Sequence, residues 1–161
     1  MRNFHCSQEQ HDANILKCIN SEHPEKIGLI EFLHSRNFDT FATFTTSLPL
    51  GLPAARRKME NVVKLIDAGS STDFFWCAER FDVREGFHTH GLINWRVPNE
   101  TMRNSCNKML FDHWLHRYGR ITLDPVRGKY NAEYYLTKYI TKSITDYDFY
   151  FKQSSKNNIN S

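Results

Sequence analysis

The residues of this chain best suited to chemistry are two histidines one position apart, His88 and His90. Imidazole is the commonest metal-binding side chain, and alternating residues of an extended strand project to the same face. Glu79 lies nine residues before His88 in a strand-like segment, 74–81, and the Asp- and Gly-containing stretch 82–86 between them predicts a turn. An antiparallel hairpin would place Glu79 opposite His88 or His90. The sequence therefore predicts a three-ligand cation site with positions left for substrate oxygens and water.

A second reactive group is a pair of tyrosines four residues apart, Tyr135 and Tyr139, each followed three residues later by a lysine, Lys138 and Lys142. The spacing predicts a helix over about 130–142 with both tyrosines on one face and a lysine close to each. Such a pair is ordinarily a packed aromatic edge. Here the repeated Tyr-x-x-Lys follows a carboxylate–imidazole hairpin, which favours a nucleophile whose phenolate is stabilised by a nearby cation.

Together these motifs resemble those of the HUH endonucleases. The tandem Tyr-x-x-Lys resembles the two-tyrosine helix of the gene A-like rolling-circle replication initiators of small single-stranded DNA phages, the microviruses. The resemblance covers roughly residues 38 to 151. The segments that carry it are Phe41–Thr45, Glu79, His88–His90, Arg120–Val126, Tyr135–Lys138 and Tyr139–Lys142.

The middle residue of the histidine motif departs from the family pattern. Thr89 stands where the family usually has a bulky hydrophobic residue. Threonine is β-branched and compatible with a strand, so the geometry of the two histidines is preserved. The assignment therefore depends on the order and spacing of the other motifs.

The resemblance implies a DNA nickase and strand transferase that cleaves and rejoins single-stranded DNA at an origin through a covalent 5′-phosphotyrosine. The implied cofactor is Mn²⁺ or Mg²⁺. The implied metal ligands are Glu79, His88 and His90, and the implied catalytic residues are Tyr135, Tyr139, Lys138 and Lys142. Two alternatives remain open at this point: a single-tyrosine HUH transposase and a DNA-binding module without catalysis.

Expected DNA contacts come from two further segments. Thr43 and Thr45 belong to the Phe-x-Thr-x-Thr motif, and Arg56, Arg57 and Lys58 form a basic triplet on a predicted helix. The favoured interpretation of the triplet is a solvated helix face, with any contact to DNA phosphates secondary. The expected partner is a single-stranded DNA origin, with a hairpin as one form. The sequence has no Gly-x-x-x-x-Gly-Lys segment, so a host helicase would unwind the DNA and a host polymerase would extend it.

Composition fits one globular domain with a substantial core, since the chain has 161 residues of which 40% are hydrophobic and 14% aromatic. Four cysteines without tight spacing predict reduced thiols and a cytoplasmic location, in a bacterium or another host cell. The sequence predicts no membrane-spanning segment and no secretion signal. Residues 37–161 carry a formal charge of +4 and residues 1–36 a charge of −1, which is consistent with phosphate binding by the motif-bearing part.

The predicted fold class is α+β, because two adjoining strands form a tight hairpin while the other strands alternate with helices. Both faces of segment 74–81 are apolar, which predicts an interior strand. The resemblance implies a five-stranded antiparallel sheet with flanking helices and the histidines on a central strand. The predicted strands are 40–47, 74–81, 87–93, 121–126 and 147–151, and the predicted helices are 53–67, 99–118, 130–142 and two short ones within 8–35. The predicted organisation is an N-terminal helical extension (1–37), an HUH nuclease domain (38–151) and a disordered tail (152–161).

Overall fold

The computed structural model describes residues 27–69, 72–81, 83–126 and 144–151. This part of the chain has an α+β fold, as predicted, with one five-stranded antiparallel sheet and three helices. In chain order the elements are α1 (Ile27–His34), β1 (Thr40–Phe44), α2 (Leu52–Gly69), β2 (Asp73–Arg80), β3 (Phe87–Asn94), α3 (Glu100–Arg117), β4 (Ile121–Pro125) and β5 (Ile144–Phe151). The first short helix, the tyrosine helix and the tail predicted from the sequence lie outside the described residues. Among those residues, no helix is long and apolar enough to span a membrane.

The sheet has the strand order β4-β1-β3-β2-β5, and every neighbouring pair is antiparallel. The histidine strand β3 is therefore central, as the resemblance implied. The interior position predicted for β2 is also confirmed, because β2 lies between β3 and β5 and its residues from Asp73 to Glu79 are all buried. Both edges of β2 are thus paired, which fixes the position of Glu79 along the sheet.

Helices α2 and α3 cover one face of the sheet, which we call the helix face. Val62 and Ile66 of α2 are fully buried there, together with Leu110 and Trp114 of α3. Met102, nearer the start of α3, is 47% exposed, because the helix packs on the core only from Cys106 onward.

The opposite face of the sheet, which we call the site face, has an apolar part and a polar part. Alternating residues of β2 and β3 project to it, so Phe75 and Leu92 share this face with Glu79, His88 and His90. Helix α1 packs on the apolar part through Leu33, in a small core cluster completed by Phe38, Phe75, Cys77 and Leu92. The polar part of the site face lies further along the same two strands and is formed by Glu79, His88 and His90.

The turn between β2 and β3 is held against the loop that follows β1. Gly86 has φ +97°, and a Cβ atom there would lie only 2.8 Å from the backbone nitrogen of Leu50. The backbone N–H of Phe87 donates to the carbonyl of Leu50 at 3.0 Å, and that of Phe81 donates to the carbonyl of Gly86 at 3.1 Å. These contacts fix the turn end of the hairpin that contains Glu79 and His88.

Strand β5 begins at Ile144, three residues before the predicted start. Ile144 is paired with Glu79, after a register shift that falls between Ala78 and Glu79. Such irregularities bend a strand locally and can re-aim a side chain. Conversely, β1 ends at Phe44, before the predicted Ser47.

Candidate metal centre

The antiparallel pair β2–β3 brings the three predicted ligands together. Glu79 is directly opposite His88 in the ladder, and His90 is opposite Cys77, two positions along the same face. One potential ligand atom from each of Glu79, His88 and His90 lies within 4.8 Å of the other two. We call these three residues the trio. The geometry expected from period-two alternation and a single turn is present.

A single carboxylate oxygen joins the two imidazoles. Oε2 of Glu79 lies 2.5 Å from Nε2 of His88 and 3.0 Å from Nε2 of His90. Glu79 and His90 are each only 7% exposed, while His88 is partly buried. Without a metal, an Nε2–H of each ring can donate to this oxygen; a divalent cation would take the place of these protons.

The environment keeps Glu79 and His90 in the protonation states that metal binding requires. Burial alone would raise the pKa of the Glu79 carboxyl, but hydrogen bonds from His88 and His90 outweigh it and lower the pKa to about 2. Burial lowers the pKa of His90, which favours its neutral, ligand-competent form at pH 7. Burial also raises the pKa of the neighbouring Cys77 thiol, so Cys77 stays protonated and adds no thiolate ligand.

Surrounding side chains fix the orientation of both imidazoles. Oγ1 of Thr43 lies 3.2 Å from Nδ1 of His90, and the Phe41 ring stacks on His90 with the ring centroids 5.7 Å apart. The edge of Phe81 packs against His88 with the centroids 4.6 Å apart. A hydroxyl can both donate and accept, so Thr43 suits either tautomer of His90, and Nε2 points to Glu79 in both cases. The hydroxyl of Thr43 therefore lies against a candidate metal ligand, and its expected contact with DNA stays a prediction.

Replacing Thr43 with valine should weaken Mn²⁺ binding by about 10- to 100-fold, because valine keeps the shape but removes the hydrogen bond that orients His90. Titration of the protein with Mn²⁺, followed by calorimetry, measures this effect. Thr43→Ser is the matched variant, since serine restores the hydroxyl, and it should bind Mn²⁺ nearly as tightly as the wild type. Equal affinity for Thr43→Val and the wild type would show that the hydroxyl does not position the ring.

The basic triplet lies on the helix face, across the sheet from the trio. Arg56 contacts Asp146 at 2.5 Å and Asp148 at 3.0 Å, both on β5, and its guanidinium lies 5.4 Å from the Trp76 ring centre. Arg56 is therefore ion-paired with β5, although its side chain is still 38% exposed. Lys58 lies over the ring of Tyr118, and Arg57 is exposed. A contact between the triplet and DNA stays a prediction.

Of the other expected site residues, the structure describes Thr45 but not the tandem tyrosine–lysine motif. Thr45 directly follows β1; its backbone N–H donates to the carbonyl of Arg120, and its carbonyl accepts from the indole N–H of Trp114. All four residues of the tandem Tyr-x-x-Lys motif lie outside the described residues: Tyr135, Lys138, Tyr139 and Lys142. Their catalytic roles stay predictions.

Two neighbours of the trio were missed by reasoning from the sequence, Phe81 and Arg84. The guanidinium of Arg84 lies 3.7 Å from the ring centre of Phe81, which itself contacts His88. Phe81 is two residues after Glu79, so the alternation that placed Glu79 on the site face would also have placed Phe81 there. Arg84 belongs to the turn, where no periodic pattern indicates the direction of a side chain.

Two imidazole nitrogens and one carboxylate oxygen form a donor set that suits a divalent first-row ion with open positions for oxygen ligands. The trio can therefore hold a metal ion. No family model and no curated protein matches the chain.

Proposed function

We propose that this protein is a metal-dependent DNA nickase of the HUH type that initiates rolling-circle replication. The observation that carries the proposal is the convergence of Glu79, His88 and His90 on the central strands of a five-stranded antiparallel sheet. The tandem Tyr-x-x-Lys motif further along the sequence supplies nucleophiles of the type that such a centre would serve.

The trio would hold Mn²⁺ or Mg²⁺. When bound, such an ion polarises a phosphoryl oxygen and neutralises the negative charge that develops on it. The two imidazole nitrogens favour Mn²⁺ as a physiological ion alongside Mg²⁺, which prefers oxygen ligands. The trio lies beside open surface at the end of the hairpin, because His88 is only partly buried.

Chain connectivity limits how far the tyrosines can be from the trio. Strand β5 begins at Ile144, which is paired with Glu79, and Tyr139 precedes Ile144 by five residues. Five residues span at most about 18 Å even when fully extended. Tyr135 lies four residues earlier in the sequence, one helical turn from Tyr139 if the predicted helix forms. The order of the motifs is thus compatible with tyrosines that reach a phosphate at the trio.

In the proposed reaction, the phenolate oxygen of Tyr135 or Tyr139 attacks the scissile phosphorus. A bond forms between the tyrosine oxygen and phosphorus, and the bond from phosphorus to the 3′ oxygen breaks. The 3′ oxygen takes up a proton and leaves as a hydroxyl, while the 5′ phosphate stays on the tyrosine. Lys138 and Lys142 would stabilise the phenolate, whose pKa is ordinarily about 10. Attack by a 3′-hydroxyl reverses the step and rejoins a strand.

The proposed partners follow from this product. The free 3′-hydroxyl is a primer that a host polymerase can extend, and a host helicase would separate the strands ahead of it. The bound DNA would be a single-stranded origin, in plain or hairpin form. Phosphate contacts would supply much of the affinity, whereas the trio would supply the chemistry.

A denaturing gel tests the proposal. The protein is incubated with a pool of single-stranded oligonucleotides and Mn²⁺, with EDTA in a parallel sample. We expect an SDS-resistant protein–DNA band that forms only with the metal. If the pool includes the cognate origin and the protein binds DNA but forms no adduct, the protein would instead be a non-catalytic DNA-binding module. An adduct followed by joining to an unrelated duplex target would indicate a single-tyrosine transposase.

A further inference from the structure

A cavity of about 760 Å³ opens at the hairpin end of the sheet. It lies between the loop after β1 and the turn between β2 and β3. Its lining includes Leu50, Arg80, Phe81, Val83 and Arg84. We call it the turn cavity.

The turn cavity is joined to the trio by a run of stacked side chains. The Arg84 guanidinium lies 3.7 Å from the ring centre of Phe81, and the Phe81 ring meets His88 with the centroids 4.6 Å apart. His88 in turn meets His90 at 4.5 Å. A ligand that fills this cavity therefore lies one aromatic ring away from the candidate metal ligands.

The cavity is lined by two arginines that form no ion pair among the described residues. Within the described part of the chain, neither Arg80 nor Arg84 has a carboxylate partner. Arg56, outside the cavity, is by contrast bound by Asp146 and Asp148. The Arg80 guanidinium lies 5.8 Å from the ring centre of Phe87. The one carboxylate in the described lining is that of Glu85, which is exposed at the rim. Cationic groups in this arrangement favour an anionic ligand.

Apolar side chains are exposed at the same place. Val83 in the lining is 95% exposed, and Leu48, next to the cavity wall at Pro49, is 77% exposed. Exposed apolar surface beside an arginine–aromatic stack and a second arginine is a combination typical of single-stranded nucleic-acid binding. Such sites stack bases on aromatic rings or guanidinium planes and bind the backbone with cationic groups.

We infer that the turn cavity binds one nucleotide of the single-stranded DNA, adjacent to the scissile phosphate at the trio. Its base stacks on the guanidinium plane of Arg84, which Phe81 supports from behind. The link to the scissile phosphate rests on the proposed nicking function, whereas nucleotide binding by the cavity does not. The cavity is preformed, because the backbone contacts of Gly86 and Phe87 with Leu50 hold the turn in place.

The test measures DNA binding without catalysis. A fluorescein-labelled, random-sequence single-stranded oligonucleotide is titrated with protein in EDTA, and its fluorescence anisotropy gives the affinity. Arg84→Ala should weaken binding by about ten-fold, since base stacking contributes on that scale. Arg84→Lys keeps the charge but lacks the planar stacking surface, so it should stay well below wild-type affinity. Arg117→Ala removes an exposed arginine from the end of α3 and is the matched control.

A second assay tests the proposed function separately: it measures whether the wild type forms the Mn²⁺-dependent covalent adduct with DNA. An adduct together with wild-type affinity for Arg84→Ala would overturn the nucleotide site and leave the nickase proposal standing. A ten-fold loss for Arg84→Ala with no wild-type adduct would support the nucleotide site while contradicting nicking. Wild-type affinity for Arg84→Lys would overturn the stacking role, because charge alone would then suffice. An equal loss for Arg117→Ala would overturn the site as well, since any arginine would have the same effect.

Discussion

Replacing Glu79 with glutamine should abolish Mn²⁺-dependent nicking. Oε2 of Glu79 is the oxygen that both imidazoles contact, and glutamine keeps its shape while removing the negative charge. A neutral amide compensates poorly for the charge of a divalent ion in a site where the carboxylate is only 7% exposed. Because a bound metal supplies several kcal/mol of transition-state stabilisation, we expect the nicking rate to fall at least about 100-fold.

Thermal unfolding provides an independent measurement of the same change. A ligand that binds the folded state raises the melting temperature, so Mn²⁺ should stabilise the wild type increasingly with concentration. We expect no such increase for Glu79→Gln, whereas binding of single-stranded DNA in EDTA should remain. His116→Gln is the matched control, since His116 is an exposed imidazole in the last turn of α3. Unchanged Mn²⁺ stabilisation of Glu79→Gln would exclude Glu79 as a metal ligand.

The trio could be predicted from the sequence because its geometry depends on local rules alone. Alternation along a strand puts His88 and His90 on one face, and one short turn returns the chain so that Glu79 faces them. The order of the five strands does not follow from such rules, and the central place of β3 was expected from the family resemblance. The interior position of β2 could also be predicted locally, because apolar residues lie on both faces of the segment 74–81.

Features that depend on contacts distant in sequence could not be predicted. Arg56 was taken for a solvated residue, yet it is held by Asp146 and Asp148, which are about ninety residues away in the sequence. The contact between Thr43 and His90 likewise follows from the pairing of β1 with β3, while the DNA contact that the Thr43 motif indicated stays a prediction. Pairing of strands that are remote in sequence decides both cases, and no local pattern encodes it.

Replacing Tyr135 and Tyr139 together with phenylalanine should eliminate the covalent protein–DNA adduct. The double change removes two hydroxyl oxygens and leaves the rings, so Mn²⁺ binding and DNA binding should be unchanged. Without a phenolate oxygen no bond to phosphorus can form, and the adduct should fall below detection on a denaturing gel. Tyr118→Phe removes a tyrosine hydroxyl at the end of α3, on the helix face, and should form the adduct like the wild type.

The single variants distinguish one nucleophile from two. If both tyrosines act, Tyr135→Phe and Tyr139→Phe should each still form an adduct, because the remaining tyrosine shares the same face of the predicted helix. Each should fail in repeated strand transfer, where one tyrosine must cleave while the other holds the first strand. Wild-type strand transfer by Tyr139→Phe would show that one tyrosine suffices, and that outcome would return the single-tyrosine transposase to consideration.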